Sequence, residues 1–244
     1  MHREYKRIVR SADRAILFVH GIVGTPNHFR DLVPLVPESI SVYNILLDGH
    51  GKGVTDFSRT SLQKWRKQVA AAVDELAQSH KEIFICAHSL GCLLSIEQAI
   101  HDPRITRLFL LAVPLALFLK PKMLRNCARV YFDTIDPEDQ ELAAAKSCYG
   151  ISRDPNLFHY LGWIPRYLEL FAQMGRVRKL LPQLQTPAEA WQSRKDEMVA
   201  RRSTLLLLRE NPHIRVNELP NSGHYYYEKS DLSLLKDAFS AFIS

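Results

Sequence analysis

Residues 82–100 read Glu82-Ile83-Phe84-Ile85-Cys86-Ala87-His88-Ser89-Leu90-Gly91-Cys92-Leu93-Leu94-Ser95-Ile96-Glu97-Gln98-Ala99-Ile100. Ile83 to Cys86 form a short apolar run of the kind that makes a buried strand, and residues 92–100 read as a helix, so Ser89 stands at the apex of a strand, turn and helix. Ala87 and Gly91, two before and two after the serine, are small, as a tight elbow requires: larger side chains there would collide with the neighbouring strand and helix. This geometry lifts the Ser89 hydroxyl out of the fold. It also aims the first amides of the helix at that hydroxyl, where they can hold a developing oxyanion. A plain turn serine is the blander alternative, and it predicts none of the flanking pattern.

Outward from the elbow, short apolar or β-branched runs alternate with helix-period segments, the pattern of a mostly parallel sheet covered by helices, an α/β fold. Strands are expected at 15–19, 41–46, 82–86 and 106–112, each apolar almost throughout as a strand buried on both faces should be, with an edge strand at 5–9. Leu62, Trp65, Val69, Val73 and Leu76 recur at helical spacing, and Thr60 with Gln63 suggests a capping box at the start of that helix. From 114 to about 182 the alternation stops, and proline-punctuated, helix-leaning segments carry large residues such as Phe118, Tyr131, Phe158, Trp163 and Phe171. This reads as a helical insertion, leaving a core of residues 1–113 and 183–244. The sheet pattern resumes at 213–219, and a closing helix at 231–243 carries one apolar stripe.

The 244 residues are 46% hydrophobic and 24% charged, the balance of a folded globule rather than a disordered chain. The longest apolar runs, 108–119 and 205–208, fall short of the ~20 residues that cross a bilayer. The first apolar run comes too late and is too short for a signal segment, so a cytoplasmic protein is expected. Four cysteines without a C-x-x-C pair are expected to be reduced and mostly buried. The net charge of +6 is spread along the sequence with no basic arm, which gives no reason to expect a nucleic-acid partner. Lys120, Lys122, Arg125 and Arg129 form one local basic run, read as a solvated helix face, with peripheral contact to an anionic membrane left open. Nothing points to an oligomeric state.

A serine hydroxyl becomes a nucleophile only beside a base, and the base needs an acid to orient it. His224, in Pro220-Asn221-Ser222-Gly223-His224, leaves the C-terminal end of the 213–219 strand, where ligands gather in α/β sheets. It is the best-placed base. Asp196 is the candidate acid at the end of a strand expected near 186–195, with Glu197 the alternative and a surface charge the remaining reading. Ala188, Glu189 and Ala190 would suit a helix as well as a strand, so propensity and topology disagree there. After the first buried strand, Phe18-Val19-His20-Gly21-Ile22-Val23-Gly24 opens into a glycine-containing loop. Its Ile22 amide and that of Leu90 could converge on one oxygen.

In this order the motifs resemble the α/β-hydrolase superfamily, and within it the capped serine esterase and monoacylglycerol lipase-like branch. The resemblance rests on His20-Gly21 with Gly24, on Asp48-Gly49-His50-Gly51, on the 87–91 elbow, on Asp196 and on Gly223-His224. Two departures stand out: Ala87 replaces the usual first glycine, and Trp191-Gln192-Ser193-Arg194-Lys195 precedes the acid where an apolar strand ending in glycine is usual. The resemblance implies Ser89 as nucleophile, Asp196 as orienting acid, His224 as base, Ile22 and Leu90 as backbone oxyanion donors, and the 114–182 insertion as a cap. His50 and His88 are read as structural, and Asp48 as tying down its own turn.

Such a site hydrolyses a small-molecule ester through an acyl-enzyme and requires neither metal nor organic cofactor. Activity should fall as pH drops through the histidine pKa, roughly 6 to 7. Thioester or amide hydrolysis, or acyl transfer, would use the same three side chains, and a non-catalytic binding module would use the same fold.

Overall fold

The computed structural model describes residues 2–118, 120–132, 134–136 and 138–244. Residue 119 of the long apolar run and the side chain of Lys122 lie outside what is described. In chain order the elements are β1 (Tyr5–Arg7), β2 (Arg14–Val19), β3 (Ser41–Ile45), β4 (Lys52–Gly53), α1 (Val54–Arg59), α2 (Leu62–Ala77), β5 (Glu82–His88), α3 (Leu90–His101), β6 (Ile105–Leu111), α4 (Pro121–Phe132), α5 (Gln140–Cys148), β7 (Ile151–Ser152), α6 (Ile164–Leu180), β8 (Ala188–Ser193), α7 (Arg202–Glu210), β9 (Ile214–Leu219) and α8 (Lys229–Ile243). Seven strands form one sheet in the order β1-β3-β2-β5-β6-β8-β9, parallel except for the antiparallel edge pair β1 and β3.

The expected strands are all present, and their near-continuous apolar character has the expected cause. Within β2, Ala15, Leu17 and Val19 pack on one side with α2, α3, α6 and α7, while Ile16 and Phe18 pack on the other with α8 and the 26–36 turns. Within β5, Ile83, Ile85 and Ala87 alternate with Phe84 and Cys86 in the same way. The period of two is hidden in the sequence because both faces are covered. β3 lies on one side of β2 and β5 on the other, so the chain reverses direction across the sheet between them. At such a switch point the loops leaving adjacent parallel strands part and open a crevice. Here those loops are the 20–25 segment after β2 and the elbow after β5.

Two local expectations differ. The N-cap of α2 is Ser61, whose hydroxyl accepts from the Lys64 amide at 3.2 Å, rather than Thr60 with Gln63. Thr60 instead donates to Asp48 Oδ2 at 2.8 Å, so Asp48 ties its loop to the start of α2, with Lys64 Nζ 3.3 Å away, and not merely to its own turn. Between β6 and β8 the chain leaves the sheet for α4, α5 and α6, but it also contributes β7, which pairs in parallel with β4. Glu97 on α3, 9% exposed, anchors α6: it accepts from Arg66 Nε at 2.9 Å, Gln173 Nε2 at 2.6 Å and Arg176 Nε at 2.5 Å. Cys86, Cys92 and Cys148 are free and buried, and Cys127 is free and exposed. Among the described residues no helix is long and apolar enough to cross a membrane.

Candidate active site

Ser89 adopts φ +52° and ψ −120°, a left-handed conformation that a residue with a Cβ takes only under constraint. The constraint comes from both sides. The Ser89 amide donates to Leu111 O on β6 at 2.9 Å, and the Cys92 amide returns to Ser89 O at 2.9 Å. A Cβ at Gly91 would lie 2.0 Å from Val19 O, so only glycine lets α3 start this close to β2. Leu90, the first residue of α3, has an amide with no intrahelical partner, as every helix start does.

The loop after β2 is fixed by two neutral histidines. His20 Nε2 accepts from the Leu47 amide at 3.0 Å and its Nδ1–H donates to Gly21 O at 2.8 Å. His50 Nε2 accepts from the Val23 amide at 3.1 Å while its Nδ1–H is shared between Leu47 O and Asp48 O. An imidazolium could make neither acceptor contact. Burial agrees with this, pushing His20 well below the usual histidine range and His50 down to about 4. Val23 is held at φ +51°, its carbonyl accepts the Gly150 amide at 2.9 Å, and Gly24 N closes a turn onto Gly21 O. A Cβ at Gly21 would sit 2.9 Å from the Ser89 Cβ, so this loop lies directly against the serine. Ile22 lines the same cavity as Ser89.

Asp196 and His224 meet. His224 Nδ1–H donates to Asp196 Oδ2 at 2.8 Å, with both side chains buried. The other carboxylate oxygen accepts the Met198 amide at 2.8 Å and the Val199 amide at 2.7 Å. Lys120, expected on a solvated face, instead donates from Nζ to Asp196 O at 2.5 Å. The unusual Gln192 before this loop acts as an extension of the sheet: its amide group accepts from Val113 N at 2.7 Å and donates to Val113 O at 3.1 Å. Arg194 N and Lys195 N then bond to Leu219 O and Ser222 O, which stitches the aspartate loop to the histidine loop. Ser222 is pinned in turn by Asp231 at the start of α8, 2.7 Å away.

Burial lowers the proton affinity of His224, but the Asp196 charge and hydrogen bond, with Glu197, outweigh it, so the pKa stands above the ordinary 6.5. Ser89 and His224 line one cavity of about 1040 Å³, whose other walls include Tyr149, Tyr160, Trp163 and Leu170 from the insertion. Among the described residues the Ser89 hydroxyl makes no hydrogen bond to the His224 ring, an arrangement common before substrate binds.

Three further contributors stand beside the site: Glu197, which the sequence offers only as an alternative acid, His88, which it offers only as a structural residue, and Gly150, which it does not offer. Glu197 Oε2 accepts the His224 amide at 3.0 Å. His88 donates from Nε2 to His224 O at 3.1 Å and stacks on His28 with ring centroids 3.6 Å apart. Gly150 holds the Val23 carbonyl. Of these, His88 is visible in the sequence through the elbow motif and Glu197 through its place next to Asp196, whereas Gly150 carries no signal. Among the described residues, no group of histidine, cysteine and acidic side chains is arranged to hold a metal ion.

Similarities to known proteins agree with this architecture. A stretch of 91 residues is 33% identical to the thermostable monoacylglycerol lipase of Bacillus sp. (strain H-257), covering 37% of this chain and 36% of that enzyme, about a third of its length. A structure described under LipS and LipT, two metagenome-derived lipolytic enzymes, superposes with a TM-score of 0.75 at 19% identity, over 99% of this chain and 97% of that one. The monoacylglycerol lipase of Paleococcus ferrophilus gives a TM-score of 0.70 at 18% identity, over 99% and 98% of the two chains. Residues 16–232, from β2 into α8, match the family described as the alpha/beta hydrolase family, and the chain belongs to it.

Proposed function

We propose that the protein is a serine hydrolase that cleaves carboxylic esters with an apolar portion, through an acyl-enzyme on Ser89. The observation that carries this reading is the Asp196 carboxylate. One of its oxygens is saturated by two backbone amides and the other is committed to His224, which lines the same cavity as the elbow serine. A carboxylate so fixed keeps the imidazole in the tautomer whose Nε2 is free to accept a proton. In this reading His224 takes the Ser89 proton as the oxygen attacks the acyl carbonyl, and the Ile22 and Leu90 amides hold the oxyanion. The imidazolium returns the proton to the departing alcohol, and water activated by the same ring then releases the acid and regenerates Ser89.

The cavity's aromatic walls favour a lipid-like acyl or alcohol group. We read residues 114–182 as the cap over this site, since they supply those walls. The names of the Bacillus and Paleococcus relatives support a monoacylglycerol-like substrate.

Treating the protein with a fluorophosphonate and mapping the adduct by mass spectrometry tests the assignment. A single adduct on Ser89, absent in Ser89→Ala, is expected, with hydrolysis of p-nitrophenyl esters lost in the same variant. An adduct elsewhere, or turnover that survives Ser89→Ala, overturns it. Acyl ester, thioester and amide substrates measured side by side separate the reaction types that share the three side chains.

A further inference from the structure

Glu197 is adjacent in sequence to the proposed acid, yet its side chain does something different. Its Oε2 accepts the His224 amide at 3.0 Å, and the approach is so close that a Cβ on Gly223 would lie 3.1 Å from the same oxygen. The carboxylate thus lies against the 223–224 peptide, and Glu197 also lines the cavity that holds Ser89. The turn at 196–199 does not depend on it, because Asp196 Oδ1 already binds the Met198 and Val199 amides. The Glu197 main chain has a separate task, its carbonyl accepting the Lys120 amide at 3.2 Å.

We propose that Glu197 is a positioning residue of this site: its carboxylate fixes the His224 loop through the backbone amide, and it places a second negative charge beside the imidazole, behind that of Asp196. The inference rests on His224 being the base of the proposed hydrolase. The charges around that ring leave the Glu197 contribution unopposed by any nearby ring cation among the described residues. His88, 4.7 Å from it between ring centroids, is buried and neutral, as is His28 stacked behind. Tyr225, 4.8 Å away, is held protonated by burial. Lys120 approaches through the Asp196 carbonyl, and Glu141, Lys146 and Arg153 line the cavity from the insertion. Among the described residues, Asp196 and Glu197 are therefore the carboxylates whose charge reaches the ring. A second negative charge there favours the imidazolium that forms during the reaction. It also raises the pH below which the resting base is lost.

Glu197→Gln keeps an oxygen for the His224 amide and removes the charge, whereas Glu197→Ala removes both. With a p-nitrophenyl ester, the acid limb of kcat/KM should move down by about half a pH unit or more in both variants. The plateau should stay within about threefold for the glutamine variant and fall about tenfold or more for alanine. A limb that stays in place or moves upward in Glu197→Gln overturns the proposal. The His224 imidazole titration, followed by NMR in Ser89→Ala with and without Glu197→Gln, reads the same shift without turnover. If Ser89→Ala stays active while the titration shifts, the hydrolase reading fails and the role of Glu197 beside His224 stands.

Discussion

At the scale of single residues, the elbow was legible because its requirements are local: a strand, two small residues and a helix start. His224 and Asp196 were legible only through their order along the chain. Asp196 in particular follows a strand poor in β-branched residues. Ala188 and Ala190 are extended because β6 and β9 flank them, a tertiary pairing that overrides propensity. From sequence Glu197 stands only as the alternative acid, since its contact with the His224 amide depends on how closely Gly223 approaches it, which no spacing reveals. Asp196→Asn should retain the fold and cost about 10⁴ in kcat, because an amide donor opposite Nδ1 favours the wrong tautomer. Near-normal turnover of a soluble Asp196→Asn protein would place the acid elsewhere. The pH dependence follows from the charge balance: in the proposed mechanism His224 accepts a proton only when neutral, and its pKa is raised, so the acid limb of kcat/KM should lie above 6.5.

At the scale of elements, the 114–182 segment is stitched both to the chain after β2, which carries the Ile22 amide, and to residues 51–53. Gly150 N donates to Val23 O, Gly51 N donates to Gly150 O, Asn27 donates to Ser147 O, and β7 pairs with β4. None of this was readable from sequence, because a two-residue pairing carries no periodicity and its glycine is recognisable only by what it touches. A Cβ on Gly150 would lie 2.1 Å from Thr25 Cγ2 and 2.9 Å from Gly24 O, so Gly150→Ala must displace that loop. Steady-state kinetics of Gly150→Ala should show kcat reduced about tenfold to a hundredfold with KM little changed, the signature of a disturbed oxyanion donor. A fall in KM-dependent binding alone would assign Gly150 to the substrate pocket instead. The helix start at Ser61 teaches the same lesson. Thr60 and Ser61 are both capable caps, and the choice was made by Asp48, twelve residues earlier, which claims the Thr60 hydroxyl.

At the scale of the whole molecule, His20, His28, His50 and His88 are buried around the site, all with proton affinity lowered chiefly by burial, His28 to about 3 and His50 to about 4. Below pH 6.5 the unfolded chain takes up protons at these positions and the folded one does not. Stability is therefore full above that pH and declines as pH falls toward 4, by up to about 1.4 kcal/mol per pH unit for each histidine. Urea midpoints measured between pH 7 and 4.5 should show this decline, and a flat profile would mean the rings are protonated in place. The exposed large apolar side chains concentrate between 118 and 171, including Phe118 at 63% and Phe158 at 79% exposure. An apolar surface of this kind should carry the protein onto phospholipid vesicles, with Leu157→Ser and Phe158→Ser together reducing co-sedimentation. The bent backbone at Ser89 bears on endurance as well as on chemistry. A side chain forced to φ +52° costs about 1–2 kcal/mol that glycine would not incur, set against glycine's own entropic loss of about 0.5–1 kcal/mol. Ser89→Gly should thus survive heating to a slightly higher Tm than the native protein while hydrolysing nothing, an inert form that outlasts the working one.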